Sequence, residues 1–209
     1  MSELSPVAAR RAEMLQVARR VFLERGMGAS MEQLACEMGM ARQTLYNHFE
    51  SKDRLYAEMI RATAESFLFS LRGDDTDFRE YLIQFGVSIR HILLSDEGLG
   101  LFRLMIGETA RRPELAEIVF HSGPGNTLNQ LTRVMTSAME RGVIRAEDPA
   151  FAAEMLLSML LGVEQILRLL GRPARPPEAE RVRVAAIVER FLCAFVPDAS
   201  GNLSDKESS

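Results

Sequence analysis

The sequence predicts an all-α fold, on three observations. β-branched alternation over five or more residues is scarce, so strands find little support. Prolines fall where helices begin and glycines where helices end. Ser5-Pro6 and Asp148-Pro149 each pair a capping side chain with a first-turn proline, and Gly26, Gly39, Gly73, Gly142 and Gly171 close helical runs. Between these marks, apolar residues recur at three- and four-residue spacing.

The same marks give the elements in order. Helices are expected over 6–25, 31–38, 41–49, 52–71, 77–94, 96–110, 113–121, 124–141, 149–171 and 178–196. No proline interrupts residues 7–112. Residues 172–177 (RPARPP) read as a stiff connector, and the small polar residues 197–209 as a disordered tail.

Composition narrows the function classes. The 209 residues are 47% hydrophobic and 26% charged, an ordinary globular balance. The longest candidate stretch, Met155–Val163, stops at Glu164, well short of the ~18 residues of a membrane span, so none is expected. Residues 1–25 hold eight charged side chains and no long apolar stretch, so no leader is expected. Cys36 and Cys193 make neither a disulfide framework nor a zinc site, which points to a reducing cytoplasm. Cys36 reads as a small buried thiol. The net charge of −4 gives no whole-chain sign of nucleic-acid binding, so any such site must be local.

A local site is found at residues 30–52. Ser30 and Gln33 stand at the two positions of a capping box, where each side chain meets the other's backbone amide. The helix they open carries Met31, Leu34, Ala35 and Met38 on one face and ends at Gly39. A second helix starts within about two residues, with Ala41, Leu45 and Phe49 inward. Leu15, Ala18 and Phe22 of helix 6–25 complete a three-helix core around a tight turn, the helix-turn-helix pattern. With that stripe inward, Gln43, Asn47 and Glu50 point out, Thr44 and Tyr46 flank them, and His48 lies near the stripe. Arg and Gln suit purine edges in a major groove, and Thr and Tyr hydroxyls suit phosphates. Lys52, at the next helix start, suits a phosphate as well.

These residues resemble a known family. "VFLERG" (21–26), "SMEQLACEMGMARQTLYNHFESKDRLY" (30–56) and above all Thr44-Leu45-Tyr46-x-His48-Phe49-x-Ser51-Lys52 look like the DNA-binding domain of TetR/AcrR-type transcriptional regulators. The resemblance implies base contacts from Arg42 and Gln43, phosphate contacts from Thr44, Tyr46 and Lys52, and a DNA contact from His48. Ser30 and Gln33 stand where members touch the backbone, and Asn47 is a further outward candidate. It also implies a palindromic operator, a homodimer, a small apolar or amphipathic effector, and release of a repressor. "FRLMIGETARRPELAEIVFHSGP" (102–124) is similar to a subgroup linked to efflux control. Residues 1–55 carry a net charge of only +1, so sequence-independent attraction to DNA is expected to be modest.

The remainder reads as a ligand-binding and dimerisation domain. The expected division is 1–53 for DNA, 54–196 for ligand and partner, and 197–209 as tail. Helix 149–171 carries only Glu154, Glu164 and Arg168 as charges, and helix 178–196 adds Val184, Val188 and Phe191. Helices so apolar need cover on most sides, which the same pair from a second copy supplies. Candidate effector contacts are Phe85, Phe102, Met105, Met135, Met139, Met155 and Glu164, since methionine and aromatics line adaptable cavities. Glu164 has three open roles: a cationic ligand, Arg168 one turn on, or the partner subunit. No cofactor, metal site or enzymatic motif is read, so the chain is not expected to be an enzyme. The alternatives are a DNA-binding activator that senses nothing and an all-helical enzyme.

Overall fold

The computed structural model describes residues 5–68 and 77–196. Among them are eleven α-helices and no strand. They are α1 (Pro6–Arg25), α2 (Met31–Glu37), α3 (Arg42–Phe49), α4 (Lys52–Leu68), α5 (Phe78–Leu93) and α6 (Asp96–Thr109). There follow α7 (Pro113–Ser122), α8 (Pro124–Glu140), α9 (Pro149–Leu160), α10 (Gly162–Leu169) and α11 (Glu180–Ala194). The helix end expected at Gly73 and the tail expected from residue 197 lie outside the described residues.

Short side chains fix several starts. Ser5 Oγ accepts from the Ala8 amide at 3.3 Å, Ser95 Oγ from Gly98 at 3.0 Å, and Asp148 Oδ1 from Ala150 at 2.9 Å. Each cap satisfies an amide that the helix itself leaves open, an effect of typically ~1 kcal/mol.

The chain divides into two compact units. The first holds residues up to Ser66 together with Ile92–Thr127. Its core joins Met14, Ala18 and Phe22 of α1, Met31, Leu34 and Ala35 of α2, Leu45 and Phe49 of α3, and Leu55 and Tyr56 of α4. Leu101 of α6 and Leu115 and Val119 of α7 belong to the same core. Arg112, the residue before α7, forms an ion pair with Asp53 in the first turn of α4. The three-helix motif therefore does not pack alone; α6 and α7 are part of its unit.

The second unit holds Phe67–His91 and the residues from Leu128 onward. Leu82, Phe85 and Ile89 of α5, Leu131 and Met135 of α8, Leu156 and Leu160 of α9, and Val184, Val188 and Phe191 of α11 are buried in it. The Phe191 and Phe195 rings lie 4.8 Å apart between centroids.

Three expectations are corrected. One helix was expected over 149–171; the chain forms α9 and α10, bent by 45° at their junction. Gly162 takes φ +34°, a value that no continuing helix uses and that side chains resist. Apolar periodicity runs straight through this break and gives no sign of it. The last helix starts at Glu180, after a 3-10 turn over Pro177–Ala179, because Pro176 and Pro177 fix φ and lack amide protons. Ala41 is exposed: it is the extended N-cap of α3, with φ −68° and ψ 145°, so the helical wheel does not reach it.

Candidate nucleic-acid interface

The α2–turn–α3 unit is built from local signals. Both bonds of the capping box are present: the Gln33 amide donates to Ser30 Oγ at 3.2 Å, and the Ser30 amide donates to Gln33 Oε1 at 2.8 Å. Gly39 takes φ +64° and lets the chain turn at once into α3. Leu45 and Phe49 are buried and clamp α3 against the core. That leaves Arg42, Gln43, Thr44 and Asn47 exposed, with Tyr46 and His48 half-buried.

The exposed groups are ordered among themselves. Gln43 Nε2 donates to Asn47 Oδ1 at 3.2 Å, one turn along the helix. Arg42 pairs with Glu32 of α2 at 2.5 Å, and its guanidinium lies 5.3 Å from the Tyr46 ring centroid. The hydrogen bond with Tyr46, then the charge of Glu32, raises the Arg42 pKa. A backbone hydrogen bond in the first turn of α2, with Ser30 and Arg42 adding to it, lowers that of Glu32. Tyr46 and His48 flank this amide-rich strip, and the His48 carbonyl accepts from Arg11 at 3.4 Å.

Lys52 has a different environment from the one its position predicts. Its Nζ donates to the carbonyls of Met27 at 2.5 Å and Ala29 at 3.1 Å, in the segment that leads from α1 into α2. Sequence reasoning also missed Arg11. Its guanidinium makes two 2.5 Å hydrogen bonds to Glu58 of α4 and stacks 4.6 Å over Phe49. Neither pairing follows helical spacing, so neither leaves a local sequence signal. Cys36 is exposed, against the buried thiol expected, because it falls on the outer face of α2.

The seven candidate effector residues separate. Phe102 and Met105 lie in the first unit; Phe85, Met135, Met139, Met155 and Glu164 lie in the second. Phe85 and Met135 are buried, and Phe102, Met105, Met139 and Met155 are half-buried. The Glu164 carboxylate is engaged by Arg90 at 3.0 Å and by Arg175 and Arg183 at 3.2 Å each. A cleft of about 430 Å³ lies in the first unit beside the end of α3, walled by Arg11, Phe49, Ala57, Arg61 and Ile118. None of the seven lines it. Among the described residues no cluster of His, Cys, Asp or Glu has the make-up of a metal site. Nor is any single described helix long and apolar enough to cross a membrane.

A tight two-helix unit whose second helix is anchored by two apolar residues and bares guanidinium, amide and hydroxyl groups defines a helix-turn-helix DNA-binding regulator. Residues 14–59 match the model of the bacterial regulatory proteins of the tetR family, and residues 80–197 match that of the AefR-like transcriptional repressor C-terminal domain. The chain belongs to the TetR family of DNA-binding transcriptional regulators. It is 27% identical over 158 residues to the HTH-type transcriptional regulator UidR of Escherichia coli K12, covering 73% of this chain and 79% of UidR. A TetR-family transcriptional regulator of Mesorhizobium loti superposes with a TM-score of 0.74 at 26% identity, over 92% of this chain and all of that one. The flavonoid-responsive regulator FrrA superposes with a TM-score of 0.71 at 28% identity, over 91% of this chain and 99% of its own.

Proposed function

We propose that this regulator is a repressor that binds a palindromic operator as a homodimer and is released by a small apolar or amphipathic ligand. The exposed strip of α3 carries the proposal: Gln43 and Asn47 share one outward face in contact with each other. Both side chains suit an adenine edge in a major groove. In this reading Arg42, Gln43, Asn47 and His48 meet bases, and Thr44 and Tyr46 hold phosphates. Ser30 and Gln33 serve by shaping the start of α2. Lys52 acts on DNA through the segment it ties, which sets where α2 begins. Residues 1–53 are then the DNA-binding part and residues 54–196 the ligand-binding and dimerisation part.

The homodimer is supported by α10 and α11. Val163, Ile166, Leu167 and Leu170 are 71, 58, 41 and 77% exposed, and Val182 is 72% exposed. Val163, Ile166, Leu167 and Leu170 share one face by helical spacing, and an exposed apolar face of this kind marks a protein interface. The ligand class is supported by Phe85, Met135, Met139 and Met155 in the second unit, and by a structural relative whose name describes it as responsive to flavonoids.

Duplexes tiling the region upstream of the gene test the proposal, scanned by fluorescence anisotropy at low ionic strength. The expected result is saturable binding to a palindromic duplex by two chains per site, weakening as salt rises. Equal and weak affinity for every duplex would overturn it.

A further inference from the structure

Helix α5 carries a buried guanidinium that the proposed function does not use. Arg90, in the last turn of α5, is 2% exposed. An unpaired charge there is costly, so its donors must all find acceptors. Nε donates to Glu180 Oε1 at 2.5 Å, and Nη2 to Glu164 Oε2 at 3.0 Å and Glu180 Oε2 at 3.2 Å. Nη1 donates to the main-chain carbonyl of Leu160. These acceptors belong to three elements: the last residue of α9, the first turn of α10 and the first residue of α11. Burial opposes the charge on Arg90, but the hydrogen bonds with Glu180 and Glu164 outweigh it, and the pKa is raised.

The Leu160 carbonyl explains the arrangement. In an unbroken helix it would accept from the amide of residue 164. The 45° bend between α9 and α10 removes that geometry, and Arg90 supplies the donor instead. The same guanidinium holds the Glu164 side chain, one helical turn past the bend. Core packing does little for α10, because none of its residues is fully buried. Its direction depends on Glu164, which Arg175 and Arg183 also grip.

We infer that Arg90 is a positioning residue that sets the direction in which α10 presents Val163, Ile166 and Leu167 to a second copy of the chain. This inference rests on the homodimer reading above. Arg90 works by fixing the bend, through the Leu160 carbonyl and the Glu164 carboxylate.

The test compares wild type with Arg90→Met and Glu164→Gln by sedimentation over a dilution series, well below the unfolding temperature. Matching helix content by circular dichroism is required. Arg79→Met, which removes an exposed pair between α5 and Glu189, serves as control. Arg90→Met is expected to raise the dimer dissociation constant about tenfold or more, Glu164→Gln to shift it in the same direction, and Arg79→Met to leave it within about twofold. Hydrogen exchange of the amides over 162–169 is expected to quicken in Arg90→Met and Glu164→Gln. A folded Arg90→Met with the wild-type dissociation constant and unchanged exchange overturns the inference. If Arg90→Met does not fold, the same two readings on Glu164→Gln decide. A wild type that is monomeric throughout defeats the homodimer reading instead, and exchange in α10 then judges the clamp by itself.

Discussion

Replacing Lys52 by methionine separates two roles for one ammonium. The side chain reaches the carbonyls of Met27 and Ala29, two residues only 5% and 2% exposed, on the segment that positions α2. A hydrogen bond to a charged group contributes about 1.5–3 kcal/mol. Lys52 is only half-buried and its amine is well hydrated in the unfolded chain, so the two bonds together contribute about 1–3 kcal/mol. Methionine keeps the stem and removes the donors. Urea unfolding followed by far-UV circular dichroism is therefore expected to show a loss of about 1–3 kcal/mol, with Tm lower by roughly 2–4 °C per kcal/mol. The salt dependence of operator binding supplies the contrast. A lysine spent on a phosphate contributes about 0.9 to the slope of log K against log salt. With the ammonium held by the loop, the slope stays close to wild type. Unchanged stability together with a slope reduced by about one would instead return Lys52 to the phosphate.

Three further outcomes follow from the same geometry. The Tyr56 hydroxyl is buried with no hydrogen-bond partner among the described residues, and burial, with Glu108 second, pushes its phenol far above the usual range. Tyr56→Phe is therefore expected to match or exceed wild-type stability, and a loss beyond about 1 kcal/mol would contradict this. Burial raises the Glu164 pKa, but the hydrogen bonds from Arg90 and Arg175 outweigh it and hold the group below its ordinary 4.5. A carboxyl more acidic folded than unfolded adds stability above the unfolded pKa and loses it as pH falls through the folded one. The stability gap between wild type and Glu164→Gln should then narrow as pH drops below about 4.5; a gap independent of pH speaks against the pairing. Ile166→Glu puts a charge on the exposed face of α10 and is expected to give a helical monomer by light scattering, whereas a persistent dimer would move the interface elsewhere.

Local chemistry was legible in the sequence, and long-range chemistry was not. Ser5, Ser30 and Asp148 cap the helices they precede, because a cap involves residues two or three apart. The inward set of α2 and the Leu45–Phe49 anchor of α3 follow from 3.6-residue periodicity in the same way. Periodicity fails where the backbone departs from the helix, as at Ala41 and at the bend before Gly162. It is also silent on charges. Arg90 reads as one more solvated arginine near a helix end, yet its partners lie 70 to 90 residues away. Glu164 has Arg168 within helical reach, but the tertiary fold gives it Arg90, Arg175 and Arg183. The candidate effector residues share only composition, which is why they scatter over two units.

Operator recognition rests on α3 reading bases through Gln43 and Asn47. The most direct measurement is anisotropy with the operator duplex and a scrambled duplex of equal length, for wild type and for the Gln43→Ala/Asn47→Ala double variant. A good bidentate base contact is worth about 1–3 kcal/mol. The variant is expected to lose about one to two orders of magnitude on the operator while its affinity for the scrambled duplex hardly changes. An operator preference that survives the double substitution intact would contradict it.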